Sequence, residues 1–286
     1  MKKRLLAAAM AAVMAVSLSA CSTGQTETTP TTGNTEANSS EANNTEASNT
    51  ETTAGETSAD AGNTESKGVL VMATNAEFPP YEFHEGGEIV GIDVEIARAI
   101  AAEMGMDFEI EDIAFDSIIP AVQSGKADFG AAGMTVNEDR KMNVDFSDPY
   151  ASATQVIIVK EDSEISGPAD LEGKLIGVQQ GTTGDIYASD EFGDDHVERY
   201  NKGFEAVQSL NQTKIDAVII DGEPAKVFVS QNEGLKILDE AYTEEEYAIC
   251  VKKGNTELLE GINAAIAKLE ESGELQAIVD KYISAE

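Results

Sequence analysis

From residue 68 onward, short apolar runs alternate with stretches in which apolar residues recur at helical spacing. The runs at 69–73, 107–110, 129–132, 155–159, 175–178, 217–220 and 249–251 read as strands. Between the first two, 93–104 places Val94, Ile96, Ala97, Ile100, Ala101 and Met104 near helical spacing, and Gly105 supplies a C-terminal stop. At the far end, 257–269 and 274–283 read as amphipathic helices separated by Ser272-Gly273. Alternation of this kind predicts an α/β architecture.

One segment occurs twice. Phe115-Asp116-Ser117-Ile118 leads through a helical stretch to Gly125-Lys126-Ala127-Asp128-Phe129, and Phe204-Glu205-Ala206-Val207 leads to Thr213-Lys214-Ile215-Asp216-Ala217. Each reads as helix, tight turn and strand, and each strand ends in a polar or Gly-containing segment, Gly133-Met134-Thr135 or Asp221-Gly222. Ligands of open α/β sheets collect outside the carboxyl ends of strands. Two similar units therefore predict a cleft between two lobes.

The first 67 residues have no such pattern. Lys2-Lys3-Arg4 precede the uncharged run 5–20, so 1–20 reads as an export signal, and the run falls short of the roughly 20 residues of a spanning helix. Leu18-Ser19-Ala20-Cys21 resembles the lipobox of bacterial lipoproteins, which implies cleavage before Cys21 and a lipid on its thiol. Residues 22–67 hold no Val, Ile, Leu, Met, Phe, Tyr or Trp, so nothing there offsets the entropy of ordering. We read 21–67 as a disordered tether with an r.m.s. span of about 35–40 Å. With Cys21 acylated, Cys250 is left alone in an apolar stretch, where it reads as a small buried hydrophobe.

Charge narrows the function. The 286 residues hold 53 Asp+Glu against 19 Lys+Arg, a net charge of −34 that excludes a nucleic-acid partner. Only His84 and His196 are present, and HExxH, GxSxG and CxxC are all missing, so no catalytic site, metal or cofactor is expected. Gly167 to Lys174 departs from a phosphate loop in its spacing and in having Leu175 after the lysine, which assigns any ATP hydrolysis to another subunit.

A series of blocks then carries a family resemblance. Ala73-Thr74-Asn75-Ala76-Glu77-Phe78-Pro79-Pro80-Tyr81-Glu82-Phe83, Gly91-Ile92-Asp93-Val94-Glu95-Ile96-Ala97, and Phe115-Asp116-Ser117-Ile118-Ile119-Pro120-Ala121 open it. Gly133-Met134-Thr135, Glu138-Asp139-Arg140, Val144-Asp145-Phe146-Ser147-Asp148-Pro149-Tyr150, Gly177-Val178-Gln179-Gln180-Gly181-Thr182-Thr183 and Asp216-Ala217-Val218-Ile219-Ile220-Asp221 continue it. In this order they resemble the polar amino-acid-binding proteins of ABC importers, solute-binding protein family 3. The resemblance implies a two-lobed, type II periplasmic-binding-protein-like fold, with the ligand in a cleft between lobes joined by two hinge strands. Lobe 1 would comprise 68–150 and 248–286, and lobe 2 151–247. The implied protein is a monomer that takes a free polar amino acid to an ABC permease with a separate ATPase subunit. It would be held to the extracytoplasmic face of the membrane by the lipid on Cys21.

Taken alone, Arg140 reads as a solvated surface arginine, Asp221 as a helix N-cap and Phe115 as core. The resemblance implies more. Arg140 falls on the arginine that grips the ligand carboxylate, and Asp221, expected to be ionised, on the acceptor of the ammonium. Gly133, Thr135 and Thr183 fall on positions that surround the ligand with hydrogen bonds, and Phe78 and Phe115 on two aromatics that sandwich its side chain. Asn75 stands where members that bind basic amino acids often carry an acid, and Gln179 takes another specificity position. A neutral ligand such as glutamine or histidine fits at least as well as a basic one, although Glu77 lies close by. Two other readings stay open on the same fold: an exported cyclohexadienyl-dehydratase-like enzyme, for which Glu77 is the candidate acid, and a ligand-sensing domain.

Overall fold

The computed structural model describes residues 68–283, so the export signal, Cys21 and the tether lie outside the described residues. Strand β1 (Val69–Thr74) is followed by a small antiparallel sheet of β2 (Glu77–Phe78), β3 (Glu82–Glu85) and β4 (Glu88–Val90). Helix α1 (Ile92–Met104), β5 (Asp107–Asp112), α2 (Ile118–Ser124), β6 (Phe129–Gly130), α3 (Glu138–Asn143) and β7 (Val144–Phe146) come next. The long strand β8 (Ala151–Lys160) leads to β9 (Ile176–Gln179), α4 (Thr183–Phe192), β10 (Val197–Tyr200), α5 (Gly203–Asn211), β11 (Ala217–Asp221), α6 (Gly222–Ser230), β12 (Leu235–Ile237) and β13 (Thr243–Tyr247). Strand β14 (Cys250–Lys252), α7 (Thr256–Ser272) and α8 (Glu274–Tyr282) follow.

The strands form two larger sheets, β5–β1–β6–β14–β7 and β10–β9–β11–β8–β12, with β13 added on β8. Each is the centre of an α/β lobe, and three neighbouring strands in each run parallel, β5–β1–β6 in one and β10–β9–β11 in the other. The chain passes between the sheets twice, after β7 and after β13. These crossings are joined, because Ala151–Thr154 of β8 pair with Glu244–Tyr247 of β13 in antiparallel register. Every second residue of β13 faces inward: Glu245 and Tyr247 are buried while Glu244 and Glu246 are exposed. Three consecutive glutamates hide this strand from any apolar pattern.

Helix α1 starts at Gly91, whose φ of +132° needs glycine and where an added Cβ would lie 2.1 Å from the Tyr81 carbonyl oxygen. It stops at left-handed Gly105. Its apolar face, including Ile96 and Ile100, is buried in the core that also holds Ile262 and Ile266 of α7. The strand expected over 129–132 ends at Gly130, because the backbone leaves the sheet there and carries Gly133 and Thr135 into the cleft. Cys250 is buried beside Gly130, and burial pushes its thiol up to about 12, in keeping with a packing role.

The twofold segment is real at the level of single hydrogen bonds. Asp128 accepts from the Val71 amide at 2.8 Å and Asp216 from the Leu175 amide at 2.9 Å, so each aspartate ties its unit to the start of the neighbouring parallel strand. Gly125 (φ +76°) and Thr213 (φ +60°) occupy the same left-handed position after their helices. Thr213 is the only non-glycine residue at positive φ among the described residues. Its hydroxyl accepts from Lys160 Nζ at 2.7 Å on the surface. Thr213→Gly should therefore raise stability by about 0.5–1 kcal/mol, seen as a higher thermal midpoint. A lower midpoint would mean that the Lys160 contact outweighs the backbone strain.

Candidate functional site

The carboxyl ends of β1, β6, β9 and β11 converge on the space between the lobes. From lobe one, Asn137 caps α3 by accepting from the Arg140 amide at 2.8 Å, which aims the arginine side chain inward. Its Nη1 donates to the Thr135 carbonyl at 2.7 Å, and its Nη2 donates across the cleft to the Gly181 carbonyl at 3.1 Å. The guanidinium lies 5.3 Å over the Phe115 ring. Arg140 is only 7% exposed and makes no ion pair among the described residues, and burial lowers its pKa. Helix α4 points its N-terminus at the same place: Thr182 caps it, and Asp185 accepts from the Gly181 amide at 2.9 Å. A buried guanidinium beside a helix N-terminus is a receptor for an anion.

The opposite wall is acidic. Asp221 ends β11 and stands at the N-cap position of α6, yet its side chain makes no capping bond. It accepts instead from Gln155 Nε2 at 2.8 Å and from the Tyr247 hydroxyl. Burial raises its carboxyl to about 7 against these stabilising hydrogen bonds, above the ordinary value on which the expectation of an ionised Asp221 rests. Beside it, Glu245 Oε2 accepts from Thr135 Oγ1 at 2.9 Å, Gln155 Nε2 at 3.0 Å and Thr183 Oγ1 at 3.1 Å.

A third wall holds Asn75, whose side-chain oxygen accepts from Gln179 Nε2 at 2.9 Å across the cleft while its amide donates to the Ile113 carbonyl. Near it Glu82 is 1% exposed, and its Oε2 has no hydrogen-bond partner among the described residues. Burial, then repulsion from Asp93 and Asp221, pushes the Glu82 carboxyl well above the usual range. Asp93, raised to about 6 chiefly by burial, accepts from the Gly133 amide at 2.7 Å and the Tyr150 hydroxyl at 2.6 Å, and so fixes the loop that carries Gly133.

Asn75, Phe78, Phe115, Gly133, Thr135, Arg140, Gln179, Thr183 and Asp221 all line one small, largely enclosed cavity, together with Glu82, Ala132 and Thr182. Phe115 is half-buried, packed against the core cluster of Ile118 and Val122 and lying under Arg140. Glu77 is not brought in: it pairs with Lys202 of the other lobe, outside the cavity. Gln155, Glu82, Glu245, Asp93 and Tyr247 all act on the site and were missed in the sequence. Gln155 had a usable signal, being the one polar residue opening an apolar strand. Glu82 and Glu245 had none, since acids surround both.

The arginine-binding extracellular protein ArtP of Bacillus subtilis is 35% identical over 233 residues, 80% of this chain and 91% of its own. Two solved structures of an ancestral arginine-binding protein, one bound to arginine and one to glutamine, are 41% identical with a TM-score of 0.72, and cover 76% of this chain and 98% of theirs. These relatives are named for what they bind, and this chain is likewise a substrate-binding protein and no enzyme. The model of the bacterial extracellular solute-binding proteins, family 3, matches residues 70–285, and the chain belongs to that family.

Proposed function

We propose that this protein is the lipid-anchored receptor of an amino-acid ABC importer, that it binds free L-arginine between its lobes, and that it hands the ligand to a permease served by a separate ATPase. The buried, ion-pair-free Arg140 carries this reading, because it asks for one small carboxylate. Arg140 and the start of α4 take the ligand carboxylate, and Asp221 with Thr135 takes the ammonium. Phe78 and Phe115 flank the side chain, which runs toward Asn75, Gln179 and Glu82.

Glu82 favours the basic ligand. It supplies from another position the acid that Asn75 lacks, and a cation would satisfy its bare oxygen. The arginine-binding relatives support the same choice. Glutamine is the second reading, favoured by the facing amides of Asn75 and Gln179 and by the relative solved with glutamine.

In this reading lobe 1 is 68–150 with 248–286 and lobe 2 is 151–247, and β8 and β13 are the hinge. Ligand binding favours the closed state that the permease recognises. Among the described residues no helix is long and apolar enough to cross a membrane, and attachment rests on Cys21. Family relatives named as extracellular support the extracytoplasmic location.

Calorimetric titration of residues 68–286, refolded to strip ligand, against a panel of amino acids tests the proposal. Arg140→Ala should cost about 2–5 kcal/mol for every ligand; affinity within a few-fold of wild type would remove the carboxylate site. Glu82→Gln should weaken arginine at least tenfold and leave glutamine within threefold, whereas equal losses would point to a neutral ligand. Because the ammonium binds ionised Asp221, affinity should fall about fivefold from pH 7 to 6 and about ninefold more from pH 6 to 5. A flat profile would mean that Asp221 is ionised without ligand. Cys21→Ala should release the full-length protein from membranes, and retention would count against lipidation.

A further inference from the structure

Glu245 is buried, sits on β13 rather than on either lobe's pocket loops, and does not line the Arg140 cavity, although with Thr135 and Asp221 it borders the adjoining open pocket. Yet one of its oxygens accepts hydrogen bonds from both cavity threonines. Thr135 Oγ1 donates at 2.9 Å and Thr183 Oγ1 at 3.1 Å, while Gln155 Nε2, which also donates to Asp221, adds a third bond at 3.0 Å. The two hydroxyl oxygens are 3.5 Å apart.

A threonine hydroxyl has one proton and two lone pairs. A carboxylate oxygen accepts only, so the proton of Thr135 is committed to Glu245 and the oxygen turns its lone pairs toward the cavity it shares with Asp221. Gln155 spends its amide protons in the same way, on Glu245 and Asp221. The wall facing the ligand's α-substituent is therefore made of acceptors.

We propose that Glu245 is a specificity-determining positioning residue: by holding the Thr135 proton it makes the pocket select a protonated α-amine over an α-hydroxyl. The inference rests on the amino-acid-binding reading above. An ammonium carries three donors and can serve Asp221 and Thr135 together. An α-hydroxyl carries one, so it serves one acceptor and sets its own lone pairs against the other. Glu245 acts without touching the ligand, and it does so from the hinge.

The test is calorimetric, with two matched pairs of probes: L-arginine against its 2-hydroxy analogue, argininic acid, and L-histidine against imidazolelactic acid. Wild-type protein should prefer the amine by at least 100-fold. Glu245→Met removes the acceptor and frees the hydroxyl to donate, so the preference should narrow at least tenfold. Glu245→Gln keeps an acceptor oxygen and should stay within threefold of wild type. Thr135→Val, which deletes the responding group, should narrow the preference as Glu245→Met does and serves if the methionine variant fails to fold. Equal weakening of both probes in Glu245→Met would make the residue merely structural and overturn the proposal. Loss of preference in Glu245→Gln equal to that in Glu245→Met would assign the effect to charge and also overturn it. Failure of wild type to bind arginine while it binds histidine would reject the arginine reading alone, since the second pair still reports on Glu245.

Discussion

Taking a guanidinium out of water costs several kcal/mol unless its donors are met and its charge is balanced. Arg140 meets the first condition with two carbonyls, one from each lobe, and makes no ion pair among the described residues to meet the second. The cleft is organised around that imbalance. Asn137 sets the direction of the side chain, Phe115 lies under it, and Asp185 holds the Gly181 peptide whose carbonyl it reaches. Because one partner carbonyl belongs to each lobe, the guanidinium bridges the cleft.

The acids answer the same problem with the opposite sign. Asp221, Glu82, Asp93 and Glu245 are all buried in or behind the cleft, and burial pushes the carboxyls of the first three up. Burial disfavours their charged forms, and the upward shifts of Asp221, Glu82 and Asp93 lower that cost by favouring the neutral acids. The exposed acids that make up most of the net charge of −34 take no part in this. A net charge this far from zero favours solubility and steers cations from a distance.

Architecture supplies the geometry. Two copies of a helix, turn and strand unit, each anchored by an aspartate on its neighbour strand, put two sets of strand ends against one another. The β8–β13 pair joins them and also delivers Gln155, Glu245 and Tyr247 to the acidic wall.

Much of this was legible in the residues. Apolar runs and helical spacing, local properties of neighbours along the chain, marked β1, β5, β11, α1, α7 and α8 to within a few residues. The repeat of Asp128 and Asp216 announced two lobes, and the order of the motif blocks named nine positions that the fold does bring to one cavity. What stayed hidden depends on partners far away in the chain. Strand β13 exists because β8 supplies its hydrogen bonds, whatever its glutamates prefer. Glu77 and Glu82 are five positions apart and look alike in sequence, yet one meets Lys202 near the rim and the other is sealed against Asp93. A carboxyl group's charge and role follow from its solvent and its neighbours in space, and those are decided only when the lobes pack.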